Sequence, residues 1–281
     1  MNIAYKTIKV LLIILSITSC TKEIDLNYKS VDKLHVIEGF TNDTATIVSI
    51  TQTTDMYQPI DTTPGGRITN ASVKIEDSKG ISYTLMPNDS GLFVNKDLCA
   101  KDPSESYRIV VNIDKKTYET AAQLMTRVEI DTLKLFSQTV MKPVELQSVQ
   151  VIITVEPMKE YYLRFTLYHK GKELSTQLRK KEVNMKTQMS VFFIYAAKDK
   201  DGKIVIDSET KEEIEVGDVL EVELQHLDAH TYNYLISVAN VDQTNYNPIS
   251  HFSGGALGYF HSYFISKKTE TYSPEKVHSL D

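Results

Sequence analysis

From Leu34 the chain alternates with a period of two: Leu34, Val36 and Glu38 face one way, and His35, Ile37 and Gly39 the other. That is the repeat of a half-buried β-strand. The run Ala45, Ile47, Val48, Ile50, rich in β-branched residues, predicts a second strand. Ala71, Val73, Ile75 and Ile81, Tyr83, Leu85 predict a hairpin across the turn Asp77-Ser78-Lys79-Gly80. A further turn at Pro87–Gly91 leads to Leu92-Phe93-Val94, and Tyr107, Ile109, Val111, Ile113 and Tyr118 continue the pattern. Short strands with turn signals at this spacing predict an immunoglobulin- or transthyretin-like β-sandwich over residues 31–125.

The second half is β-rich with a looser repeat. Val149, Val151, Ile153, Val155 and Tyr161, Leu163, Phe165, Leu167 form a predicted strand pair. Phe192, Ile194, Ala196, then Ile204-Val205-Ile206 and Leu220, Val222, Leu224 supply others. One helix is expected, capped by Asp228, with Tyr232, Leu235, Ile236 and Ala239 on one stripe. The glycine-rich run Gly254-Gly255-Ala256-Leu257-Gly258 opens a terminal strand, and glycines there imply close backbone approach or a bulge. The predicted fold class is therefore mostly β: the N-terminal sandwich, a β-rich part with one helix over 126–270, and a tail over 271–281.

Ahead of these elements, Lys6 and Lys9 precede the apolar run Val10–Leu15, the layout of a secretory signal over residues 1–19. The run is too short to span a bilayer, which takes roughly 20 apolar residues. Ile17-Thr18-Ser19-Cys20 resembles a bacterial lipobox, which implies a mature chain beginning at a lipidated Cys20 with a tether over 20–30. Lys22, Glu23 and Asp25 resemble the short signal that sends Bacteroidota lipoproteins to the outer face of the outer membrane. With Cys20 acylated, Cys99 has no partner for a disulfide, and a small buried hydrophobe is its expected role.

Gly39-Phe40-Thr41-Asn42, Asn70–Ile75, Gly91-Leu92-Phe93, Tyr107-Arg108-Ile109, Ile130–Leu133, the late helix and Gly254–Phe260 follow one another in a characteristic order. In that order the chain resembles the Bacteroidota lipoproteins of domain of unknown function 4249, from about Glu23 to Ser266. His251-Phe252-Ser253 stands where a Ser-Asn-Ile is expected, and the loop from helix to glycines is short. The resemblance implies an outer-membrane lipoprotein facing the cell exterior, the partner of a TonB-dependent transporter in nutrient uptake.

Charge and chemistry narrow the choice further. The 281 residues carry 31 Lys and Arg against 37 Asp and Glu, with no basic block, which argues against nucleic acid as a partner. His226 and His230 flank the predicted cap Asp228 and so do not share a helical face; both read as surface histidines, and no metal or cofactor is expected. Asp199–Gly202 reads as a hairpin turn, not a calcium loop. No nucleophile elbow, zinc-protease helix or phosphate loop is present, so an enzyme is not expected. The aromatic content, 16 Tyr and 9 Phe without Trp, suits either a sheet core or a recognition surface. Three Asp-Thr pairs, at Asp43, Asp61 and Asp131, resemble a short O-glycosylation sequon. The candidate partner- or ligand-binding residues are Tyr246, Phe252, Gly254, Gly255 and Tyr259. The expected role is an accessory or ligand-binding lipoprotein; the alternatives are an adhesive or structural sandwich and, third, a hydrolase.

Overall fold

Period-two alternation becomes 18 strands in the computed structural model, which describes residues 32–54, 66–141, 144–183, 187–198, 202–207, 212–241 and 248–279. The first half contributes β1 (His35–Asn42), β2 (Thr46–Gln52), β3 (Ser72–Asp77), β4 (Ser82–Pro87), β5 (Phe93–Asn95), β6 (Ser106–Ile113) and β7 (Lys116–Gln123). Asx turns set the hairpins. Asp77 Oδ1 accepts the amides of Lys79 and Ile81 at 2.9 Å, with Gly80 at φ +80°, and Asn42 Oδ1 accepts those of Thr44 and Ala45. The core face of β1 is the one bearing Ile37 and Gly39, while Glu38 and Phe40 point to its back.

The second half contributes β8 (Ile130–Met141), β9 (Val144–Thr154), β10 (Tyr161–His169), β11 (Lys172–Lys181), β12 (Gln188–Lys198), β13 (Ile204–Asp207), β14 (Glu212–Glu213) and β15 (Val219–Leu227). Helix α1 (Ala229–Ala239) follows, then β16 (Leu257–Tyr263), β17 (Ser266–Thr271) and β18 (Val277–Ser279). A six-stranded sheet, β14-β13-β12-β9-β8-β18, faces a four-stranded one, β11-β10-β15-β17. Between them lies a core containing Leu135, Val151, Leu163, Phe165, Phe193 and Val222. Burial of each such phenylalanine contributes about 2 to 3 kcal/mol.

The fold is thus mostly β, as the alternation predicts. The N-terminal sheet has the order β16-β1-β2-β5-β4-β3-β6-β7 and rolls over a second core built on Ile37, Ile50, Ile75, Phe93, Ile109 and Val111. One of its two edge strands, β16, comes from near the end of the chain and pairs parallel with β1. The expected terminal strand through Ser266 is broken at Phe264-Ile265: the chain leaves the first sandwich there and pairs as β17 with β15 in the second.

Candidate functional site

The glycine-rich segment is a docking device for β16. A Cβ on Gly258, at φ +113°, would lie 1.9 Å from the Ile37 carbonyl oxygen, so only glycine lets β16 close on β1. On Gly254, at φ +78°, it would lie 2.5 Å from the Thr117 oxygen, whereas Gly255, at φ +84°, faces open space. Ser253 Oγ accepts the Glu119 amide at 3.2 Å, joining this turn to β7. Phe252 is 6% exposed and belongs to the N-terminal core, which leaves its ring no free face. Tyr246, Cys20, Lys22, Glu23 and Asp25 lie outside the described residues. Of the candidate binding residues, Tyr259 lies on the opposite face of β16 from the core.

That back face carries two columns in register: Glu38 beside Tyr259, Phe40 beside His261 and Asn42 beside Tyr263. The rings form a continuous ladder. His261 stacks on Tyr259 at 5.2 Å and on Phe40 at 6.0 Å and meets Tyr263 edge-on at 4.8 Å, while Tyr234 of α1 lies 5.3 Å from Tyr259. Asn42 Nδ2 donates to the Tyr263 hydroxyl at 3.2 Å.

Opposite stands the outer face of β10 and β15. Arg164 of β10 is in register with Gln225 of β15, and Thr166 with Glu223. The charge of the Arg164 guanidinium acts on Glu38, Tyr168, Tyr259, His261 and Tyr263. Glu38 is solvent-exposed, yet the protein around it desolvates its carboxyl and raises the pKa against the pull of Arg164. On the same seam His261, 2% exposed, is held neutral: burial first, and Arg164 second, push its pKa down to about 3. Both His261 nitrogens and Gln225 Oε1 are buried without a hydrogen-bond partner. Gln225 Nε2 donates to Glu223 Oε1 at 2.7 Å. Buried polar atoms without a partner are uncommon in folded proteins, and this seam carries three of them.

The family profile described as Domain of unknown function (DUF4249) matches residues 21–269. The chain belongs to this family. No curated protein matches it. Among solved structures it is similar to the two fibronectin type-III domain segment of chicken tenascin, at 11% identity over 70% of this chain and 93% of that one, with a TM-score of 0.21. It is also similar to the FN1–FN3 domains of chicken CNTN1, at 9% identity over 69% and 60% of the two chains, with a TM-score of 0.23.

In this DUF4249 chain two of the segments that carry the family resemblance, Gly39–Asn42 and Gly254–Phe260, meet where β16 docks on β1. A cleft of about 350 Å³ opens between the halves. Leu124, Met125, Tyr161 and His226 line it, with Lys159 and Glu160 among its polar residues. His226 corrects the expectation of a surface histidine: it is 5% exposed, stacks on Tyr161 at 4.8 Å, and its Nδ1 lies 2.8 Å from the Thr126 carbonyl. It is buried because β15 runs on through Leu227 before Asp228 caps α1 by accepting the Thr231 amide. His230 meets His251 at 4.7 Å instead. Lys181, fully buried, donates to the Lys159 and Glu156 carbonyls at 2.9 and 3.4 Å. Cys99 is half-buried, because alternation turns its neighbours Leu98 and Ala100 inward; its thiol points to the Lys96 carbonyl at 3.2 Å. Among the described residues, no group of three or more His, Cys, Asp or Glu is placed to hold a metal ion.

Proposed function

We propose that this protein is a lipid-anchored, surface-exposed outer-membrane lipoprotein that serves as an accessory, ligand-binding partner of a TonB-dependent transporter. The leader and Cys20 support the anchor; family resemblance supports the transporter. The observation that supports a binding role is the cleft of about 350 Å³ in which Leu124, Met125 and Tyr161 lie beside Lys159, Glu160 and His226, whose Nε2 is buried without a hydrogen-bond partner. Concave sites with aromatic walls and a few convergent polar groups are the usual form of a small-molecule site.

Two measurements test this. Replacing Cys20 with Ala shifts the protein from the membrane fraction to the soluble one; retention in carbonate-washed membranes refutes the lipid anchor. Tagged protein, purified from detergent-solubilised membranes of its own host, brings down a large outer-membrane barrel. Recovery of the lipoprotein alone, together with a deletion strain that loses surface attachment and keeps its nutrient use, favours the adhesive alternative.

A further inference from the structure

We propose that the cleft between the halves binds an uncharged aromatic molecule with a single hydroxyl, its O–H donated to His226 Nε2 and its rings against Leu124, Met125 and Tyr161. This rests on the ligand-binding reading above and names the class of ligand.

Among the described residues that line the cleft, His226 Nε2 is the buried side-chain atom without a partner. Its tautomer follows from the other nitrogen. Nδ1 lies 2.8 Å from the Thr126 carbonyl oxygen, which can only accept, so Nδ1 carries the proton and Nε2 is a bare lone pair. Burial lowers the pKa of this imidazole against the Thr126 bond, and the charge of Lys159 adds to the lowering, so Nε2 stays an acceptor at neutral pH. Tyr161, stacked at 4.8 Å, fixes the plane of the ring. An acceptor stranded beside apolar walls costs stability that a donor would restore.

The walls decide what else the guest carries. A carboxylate or phosphate has no proton to give and would leave Nε2 as it is. The charges that line the cleft are already spent: Lys159 Nζ lies 2.5 Å from Glu156, and Glu160 holds Lys180 at 3.1 Å and the Tyr162 hydroxyl at 2.8 Å. An ionic guest would have to break one of these pairs. A sugar would bring several hydroxyls to a wall whose polar groups are engaged: the Gln123 amide donates to the Glu105 and Pro103 carbonyls at 3.1 and 3.3 Å, and the Tyr161 hydroxyl accepts the Glu156 amide at 3.2 Å. One donor on an apolar body fits what remains. Tyr161 and the Met125 thioether both favour an aromatic neighbour, and about 350 Å³ admits two fused rings. The wall bearing Lys159 is also preformed, because buried Lys181 grips the Lys159 and Glu156 carbonyls from behind.

Isothermal titration calorimetry of the detergent-solubilised full chain tests it, with a protein-free blank for the share of each probe taken up by micelles. The probes are β-naphthol, its methyl ether, which keeps the rings and loses the donor, the β-naphthoate anion, the β-naphthylmethylammonium cation and methyl β-D-glucopyranoside. β-Naphthol binds, and each of the others binds at least about tenfold more weakly, a loss of about 1.4 kcal/mol. His226→Phe keeps a ring beside Tyr161 and removes the acceptor, so in this variant β-naphthol and its methyl ether bind alike. The proposal is overturned if β-naphthol does not bind, if any other probe matches it, or if His226→Phe still prefers β-naphthol to the ether about tenfold. Should the variant fail to fold, the probe series on the unaltered chain decides alone. Tighter binding of an ion or of the glucoside keeps the cleft as a binding site and sinks only this ligand class. A barrel recovered with a chain that binds none of the probes likewise sinks only the ligand class, and β-naphthol binding without a barrel sinks only the transporter.

Discussion

Replacing His261 with Phe should remove much of the protein's sensitivity to mild acid. In the native state burial holds the imidazole neutral, with its pKa pushed down from 6.5 to about 3. An unfolded chain protonates the same group near 6.5, so between those values it binds a proton that the native state refuses. The stability tied to neutral His261 is therefore complete above about pH 6.5 and drains away as the pH falls toward 3. At pH 5 the deficit is about 1.5 units at about 1.4 kcal/mol each, or about 2 kcal/mol. Domains are stable by only about 5–15 kcal/mol, so such a loss is readily measured. Phenylalanine suits the site: the ring lies among Phe40, Tyr259 and Tyr263, and neither nitrogen gives up a hydrogen bond. Overpacking by the larger ring lowers stability equally at both pH values and leaves the difference intact. His226 and His251, whose pKa values burial also lowers, push the same way, and Glu38, whose pKa is raised, pushes the opposite way; all three remain in both proteins. Asp218 falls outside the window: burial opposes, but the Glu215 amide, His169 and Lys170 hold its pKa at about 2, so it stays charged. Urea titrations at pH 7 and pH 5 give the readout. Unaltered protein loses about 2 kcal/mol more than His261→Phe between the two. Equal losses in both would refute the assignment of His261 as a buried neutral group.

Gly258→Ala should cost more than about 4 kcal/mol or prevent folding, because its Cβ meets the Ile37 backbone, whereas Gly255→Ala costs about 1 kcal/mol from positive φ alone; urea midpoints at pH 7 compare the two. Phe252→Ala should cost about 3 to 5 kcal/mol, since the ring fills the N-terminal core; an unchanged melting temperature would show instead a ring free for a partner. Arg127 donates to the Ile265 carbonyl at 2.7 Å and to Asp43 Oδ2 at 2.5 Å and lies over Phe264 at 4.8 Å. Arg127→Gln should speed amide exchange in residues 263–267, with a loss of global stability of about 1 kcal/mol by urea titration.

Most strands are legible because one face is buried and the other wet, the condition under which apolar residues recur every second position. β11 escaped notice because Lys172–Lys181 is half-exposed along most of its length and carries charge on both faces. The parallel pairing of β16 on β1 has no local signature, since it joins segments such as Asn42 and Tyr263, 221 residues apart. The glycines did announce a close approach, and Gly258 against Ile37 is that approach. The polar seam between the sandwiches has no local signature either: Glu38, Arg164 and His261 each occupy the polar phase of an ordinary alternating strand. One signal was available. β16 carries aromatic rings on both phases, Phe260 on one and Tyr259 and Tyr263 on the other, which is the composition of a strand covered on both sides.

The polar seam follows from the route of the chain between the sandwiches. After β15 completes its place in the second sandwich, α1 and the glycine turn carry the chain to the first, where β16 becomes an edge strand. It then returns as β17 to pair with β15 again. Two sandwiches stitched by an out-and-back crossover must set the back of one sheet near the outer face of another. Those surfaces carry side chains that alternation had kept polar: Glu38 and His261 on one, Arg164, Glu223 and Gln225 on the other. The polar seam costs stability, as the neutral His261 and the raised carboxyl of Glu38 attest. Loss of neutral His261 should therefore loosen the junction, and amide protection on β1 and β16 should fall more between pH 7 and pH 5 in the unaltered protein than in His261→Phe. Equal falls in both would mean that the imidazole does not hold the junction.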